Sequence, residues 1–247
     1  MVVGSNPTRS TSTNMNTSSE RIRKDLRAVS DPSKAAIMQR FFKTGPGEYG
    51  EGDVFLGATV PQSRKVAKSH QSCDLDTVSG LLHSKIHEER LVGLLILVHK
   101  YDSGEKGIAE FYLKHLKHVN NWDLVDLTAP NILGAHLSNK SRTLLYKLAR
   151  SKSLWEKRIA IVATYYFIRK DDFGDTLKVA EILLNDDHDL IHKAVGWMLR
   201  EVGKRDLSAL ENFLVRNHAK MPRTMLRYAI ERLPEKKRKF YMTGERR

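Results

Sequence analysis

A single cysteine, Cys73, is all that the 247-residue chain contains. That excludes an intrachain disulfide and a thiolate-rich zinc site, and it fits a reducing compartment. Long apolar runs are missing too. The longest, Leu91 to Val98, is far short of the ~20 residues that cross a bilayer. Metal-ligand spacing is equally poor: His83 and His87 are four apart and His115 and His118 three, but no Glu follows the first His of either pair as zinc-protease chemistry requires. No metal and no cofactor are therefore expected. Sustained apolar/polar alternation, the mark of a half-buried strand, is absent throughout. Acidic residues are also outnumbered, 29 against 42 Lys and Arg, a net charge of +13. A field of that sign attracts polyanions, which makes nucleic acid the leading partner class and an anionic membrane surface the second. With 40% hydrophobic residues beside 29% charged, the chain can still fold as a globular protein.

What is present is helical periodicity. Residues 1–19 are mostly Ser, Thr, Asn, Gly and Pro with Arg9 as the only charge, and they read as a disordered tail without the apolar stretch of a signal peptide. Residues 20–247 then read as a single all-α domain. Its helices include Ser19 to Val29, Pro32 to Lys43, Trp122 to Thr128, Ile132 to Leu137, Lys140 to Arg150, Leu154 to Lys170 and Leu190 to Lys204. Asp31-Pro32, Asp74, Asn139, Ser153 and Asp206 supply caps. Weak self-similarity links the segments beginning at His87, Trp155 and Leu190. Their basic residues Arg90, Arg158 and Lys193 are separated by 68 and then 35 positions. A period of ~35 residues with two helices per unit suggests a HEAT-like, armadillo-like or tetratricopeptide solenoid, with repeated positive charge along a concave surface.

Thr44 to Gly57 carries five of the 15 glycines. It lacks the Lys-Ser/Thr that completes a phosphate-binding loop, and its acids Glu48, Glu51 and Asp53 would repel phosphate, so it reads as a long turn. Cys73, at a turn-to-helix junction, could have a lowered pKa, but nothing else in the sequence supports a nucleophile. Trp122 and Asp126, four apart, share a helix face. A carboxylate on the binding face of a polyanion-binding protein costs affinity and calls for a chemical reason. Spacing alone, however, favours Trp122 as core and Asp123 or Asp126 as a first-turn acid. Lys193, Trp197, Arg200 and Lys204 follow i, i+4, i+7, i+11. They draw either a cationic stripe around an aromatic ring, suited to phosphates and sugars, or a solvated face. Arg158, Tyr165, Tyr166 and Arg169 fall in similar register. Residues 204–247 carry 13 basic residues against 5 acidic, which fits a phosphate-gripping end, a nuclear address or a solvated terminal helix.

Taken together, Gly50 to Gly57 with Pro61 and Arg64, His87-Glu88-Glu89-Arg90, Trp122 to Asp126, Trp155 with Arg158, and Lys193 to Glu201 resemble one family over roughly residues 30 to 235. It is the AlkD-like DNA alkylation repair proteins, HEAT-like-repeat DNA glycosylases. The resemblance implies a metal-free monomer that binds duplex DNA in a concave basic groove. It would excise cationic alkylpurines, chiefly 3-methyladenine and 7-methylguanine, without inserting the lesion into a protein pocket. Trp122 and Trp197 would flank the deoxyribose, Asp126 would be the catalytic carboxylate, and Arg158 would hold the adjacent phosphate and favour the charged carboxylate. Arg90, Lys193, Arg200 and Lys204, with Phe41 and Thr59, would contact DNA. Phe41, Thr59-Val60 and Tyr166 depart from the family's Tyr, Gln-Thr and Lys. The expected location is the cytoplasm of a bacterium, in association with the nucleoid, or the nucleus of a eukaryote. The chemistry is consistent: an N-alkylated purine already carries the positive charge of a good leaving group, so no general acid is needed. A carboxylate facing the sugar stabilises the cation that forms there and can orient or deprotonate the attacking water. The alternatives are a non-catalytic nucleic-acid-binding scaffold and a protein-binding scaffold.

Overall fold

The computed structural model describes residues 8–243, with side chains from residue 18 onward. Residues 1–7 of the expected tail lie outside that range. From Thr8 the chain is helical, because the fully buried Ile22 and Leu26 anchor the first helix and propagation upstream adds a hydrogen bond per residue. The described residues are helical apart from turns, loops and one isolated bridge between Val54 and Ile86. The backbone divides into two compact units, with the boundary between Leu124 and Val125.

The first unit comprises α1 (Thr8–Ala28), α2 (Pro32–Phe41), α3 (Val60–Ser69), α4 (Leu75–Leu82), α5 (His87–Asp102) and α6 (Ile108–Lys114). Helix α5 is apolar on nearly every side from Leu91 to Leu97, and it is accordingly buried, with α3 and α4 packed on it. Between α2 and α3, the glycine-rich stretch wraps onto the first turn of α5. The Glu88 carboxylate accepts hydrogen bonds from the backbone N–H groups of Leu56 (3.0 Å), Gly57 (2.8 Å) and Ala58 (3.2 Å). A cradle of amides does exist here, but the protein's own carboxylate occupies it. Gly57, at φ +89°, is required: a Cβ there would lie 2.0 Å from the Asp31 carbonyl oxygen.

Helix α7 (Trp122–Thr128) contains the boundary between the units. It ends because Pro130 lacks the N–H that a continuing α-helix offers four residues back. The chain widens into a π-helical turn, Pro130–Gly134, in which Gly134 N–H reaches Ala129 O at 2.9 Å. The second unit continues with α8 (Thr143–Ala149), α9 (Leu154–Ala163), α10 (Tyr165–Ile168), α11 (Gly174–Ile182), α12 (Asp189–Arg205), α13 (Leu207–Asn217), α14 (Arg223–Ile230) and α15 (Glu235–Thr243). The helix expected over 154–170 is broken at Thr164, whose hydroxyl donates to Ile161 O at 2.6 Å. Asp31, Asp74, Ser153 and Asp206 cap helices as expected. Asn139 does not, because α8 begins only at Thr143.

Helix α12 packs its backbone against α14 through Gly196. A Cβ there would stand 2.5 Å from both the Met225 carbonyl oxygen and the Tyr228 Cβ. Gly196→Ala should gain ~1 kcal/mol of helix propensity yet lose more to this backbone clash, for a net destabilisation of about 2 kcal/mol. A melting temperature lowered by roughly 5 °C checks this; an unchanged or raised one would show that α12 and α14 can separate at no cost.

Candidate nucleic-acid interface

In the first unit, Trp122 is half-buried at the end of an aromatic column. It stacks on Phe42 (5.1 Å between centroids, 11°), Phe42 stacks on Phe55 (4.8 Å), and Phe55 on the His87 imidazole (4.4 Å). Phe41, 63% exposed, meets the Trp122 ring edge-on at 6.0 Å. Both neighbours of Trp122 in sequence are tied down. Asn121 Nδ2 donates to Asp53 (3.2 Å), and Asp123 accepts from His87 Nε2 (2.8 Å). His87 Nδ1 faces Asp53 at 3.1 Å, and Arg90 donates to Asp53 at 2.6 Å. Two carboxylates and two cations thus form a closed, buried ionic network. Burial, the largest influence on His87, disfavours its charge, but the charge and hydrogen bond of Asp123 and the hydrogen bond of Asp53 outweigh it and push the imidazolium pKa up to about 9. Burial likewise opposes the Asp53 charge, yet the His87 hydrogen bond and Arg90 hold its carboxyl below the ordinary carboxylate range.

In the second unit, Arg158 forks onto Asp126, Nε to Oδ1 at 2.9 Å and Nη2 to Oδ2 at 2.8 Å, while Nη1 donates to Leu190 O at 2.6 Å. The Asp126 side chain keeps 16% exposure and that of Arg158 only 6%. Such a two-bond fork fixes the plane of the carboxylate. Trp197 is half-buried and lies 5.9 Å from the Tyr165 ring.

The remaining expected DNA contacts already have partners within the protein. Lys193, Arg200 and Lys204 lie on α12 but are matched by acids: Lys193 by Asp189 (2.7 Å), Arg200 by Glu231 and Glu201, and Lys204 by Glu201 (2.7 Å). Arg90 is a correction. It is 3% exposed, spent on Asp53 and the Ser84 carbonyl, and serves as a structural cation with no surface to offer DNA. Thr59 is half-buried at the start of α3, where Gln62 Oε1 accepts from both its N–H and its hydroxyl. Cys73 shows no sign of a nucleophile. Burial foremost raises its thiol pKa to about 11, opposite to the lowering that a turn-to-helix junction can produce. No spacing signal could have found the His87 network, because its partners Asp53 and Asp123 are 34 and 36 residues away.

A helical protein with a partly exposed carboxylate held by a buried arginine is the class these features define. The chain matches the family described as DNA alkylation repair enzyme over residues 22–233 and belongs to that family. Membership carries a DNA repair role, with DNA as the partner. Among solved structures, a predicted DNA alkylation repair enzyme from Enterococcus faecalis superposes with a TM-score of 0.66 at 16% identity, over 83% of this chain and 97% of that one. AlkD2 from Streptococcus mutans superposes with a TM-score of 0.54 at 16% identity, over 88% of this chain and 98% of that one. These likenesses establish the AlkD-like helical-repeat fold. No curated protein matches the chain in sequence. No helix among the described residues is long and apolar enough to cross a membrane.

Proposed function

We propose that residues 20–247 act as one functional domain, a monomeric DNA glycosylase that needs no metal or cofactor and hydrolyses the N-glycosidic bond of cationic alkylpurines such as 3-methyladenine and 7-methylguanine in duplex DNA. The observation that carries this reading is the Asp126 carboxylate, fixed by a buried arginine and still partly exposed, on the helix that also bears Trp122. A surface that binds a polyanion gains nothing from a carboxylate unless a cation must be stabilised there. The alkylated base leaves with its bonding electrons and is neutral on departure. Positive charge develops on the deoxyribose, and Asp126 binds that state more tightly than the ground state. Water, oriented by the same carboxylate, adds its oxygen to C1′ and gives up a proton to Asp126, which leaves an abasic site. The ring faces of Trp122, one helical turn from Asp126, and of Trp197 would each add attraction for the cationic character of the sugar. Arg158 positions the carboxylate; buried, with its nitrogens spent on Asp126 and the Leu190 carbonyl, it is not the phosphate ligand expected of it. One preorganised group of this type contributes about 3 kcal/mol, on the order of a hundredfold in rate.

The test is to incubate the protein with a duplex containing 7-methylguanine, with and without EDTA, and to look for free base by chromatography. Release that persists in EDTA is expected. No release from any alkylpurine duplex, together with retained DNA binding, would convert the reading to a non-catalytic nucleic-acid-binding scaffold.

A further inference from the structure

Among the described residues of the second unit, cations lie over aromatic rings at two places, and these differ in one respect. Arg142 lies 3.8 Å over the Phe167 ring and is bonded to Asp172 (2.6 Å) and Asp175 (2.7 Å), so its charge is spent within the protein. Arg169 stands 5.3 Å from the Tyr165 ring centre and 5.5 Å from that of Tyr166, with Lys170 Nζ 4.6 Å from Tyr166. Neither Arg169 nor Lys170 has a carboxylate partner among the described residues. The acids that follow them in sequence are already engaged, Asp171 by a two-bond fork from Arg205 and Asp172 by Arg142. Both cations are exposed and both rings beneath them are half-buried. The break at Thr164 starts α10 anew, and in this arrangement Tyr165 lies beside Trp197.

The α12 cations show why this matters. Lys193, Arg200 and Lys204 must each give up an acid before they can take a phosphate. A guanidinium or ammonium resting on a ring is oriented without being neutralised, so it meets a phosphate at lower cost. On these grounds we infer that Tyr165, Tyr166, Arg169 and Lys170 form a separate phosphodiester-binding platform, which holds the backbone of the duplex strand whose sugar is placed against Trp197. The inference rests on the proposed function for its ligand, duplex DNA. It adds a binding role for four residues, and it places duplex affinity in α10 and the turn after it more than in the cationic stripe of α12.

The experiment is a salt series of affinities for an undamaged duplex, read by fluorescence anisotropy. It compares wild type, Arg169→Ala/Lys170→Ala, and a control that loses two exposed charges elsewhere in the same unit, Lys152→Ala/Lys178→Ala. Two lost phosphate contacts should flatten the slope of log K against log salt by about 1.8 and weaken low-salt binding at least tenfold. The control should leave the slope unchanged. Tyr166→Leu, which keeps every charge, should weaken binding a few-fold without changing the slope. Equal behaviour of the two double variants would overturn the platform and leave only net charge. A wild type that binds DNA through these residues but releases no base would overturn the glycosylase reading and leave the platform standing. No duplex binding by wild type would overturn both.

Discussion

Asp126→Asn should bind duplex DNA as tightly as wild type or somewhat more tightly, and should release 7-methylguanine about a hundredfold more slowly or not at all. Affinity holds or rises because removing a negative charge lowers the repulsion of phosphates. The rate falls because the amide, isosteric with the carboxylate, provides no charge to balance the developing sugar cation. One side effect is expected. The buried Arg158 fork then faces a neutral group, and breaking a buried ion pair costs about 3 kcal/mol. Thermal unfolding of the same preparation shows whether the variant is folded at the assay temperature, and DNA affinity measured alongside separates lost chemistry from lost structure. If Asp126→Asn releases base at the wild-type rate, the carboxylate has no part in the reaction. If it loses affinity and rate in proportion, Asp126 serves folding alone.

The second large effect belongs to the buried network beneath Trp122. The His87 pKa is raised in the folded protein to about 9 from an ordinary 6.5, so the folded state holds a proton that the unfolded chain releases at lower pH. The sign follows from linkage: this contribution to stability is complete below about pH 6.5 and is lost as pH climbs through 9. Its size is on the order of 3 kcal/mol, from the difference between the two values. Above that range Asp53 and Asp123 face each other across a neutral ring. The unfolding midpoint should therefore fall steadily between pH 6.5 and 9.5. The His87 ring proton resonances, followed by NMR, should titrate near pH 9. A midpoint near 6.5, or a melting temperature flat over this range, would show that the network does not hold the proton. Because Asn121 and Asp123 bracket Trp122, deprotonation should also loosen the indole, and base release should weaken over the same interval.

The legible parts of this protein were those written in local pattern. Helix α7 has the bounds its periodicity predicts, and four caps fall where an acceptor side chain precedes an apolar run. Trp122 and Asp126 are four apart in one helix, so their shared face follows from spacing alone. What escaped was set by partners far along the chain. The α12 stripe is cationic in sequence, but Arg200 is matched by Glu231 on the turn after α14, 31 residues on. Arg90 and Arg158 fit a repeating basic surface until Asp53 and Asp126, each more than 30 residues away, draw both inward. Thr164 splits a continuous periodic segment through a hydroxyl-to-carbonyl bond that periodicity does not register. The π-turn after α7 was readable in principle from Pro130, whose missing N–H forbids a regular continuation.

Substrate labelled with deuterium at C1′ of the alkylated nucleotide gives the most direct view of charge at the sugar. Single-turnover release of 7-methylguanine from that duplex by the wild-type protein should show a normal secondary isotope effect clearly above unity, the mark of a sugar cation at the transition state. Release with an effect at unity would mean that a nucleophile bonds to C1′ as the base departs, and would contradict the part given to Asp126.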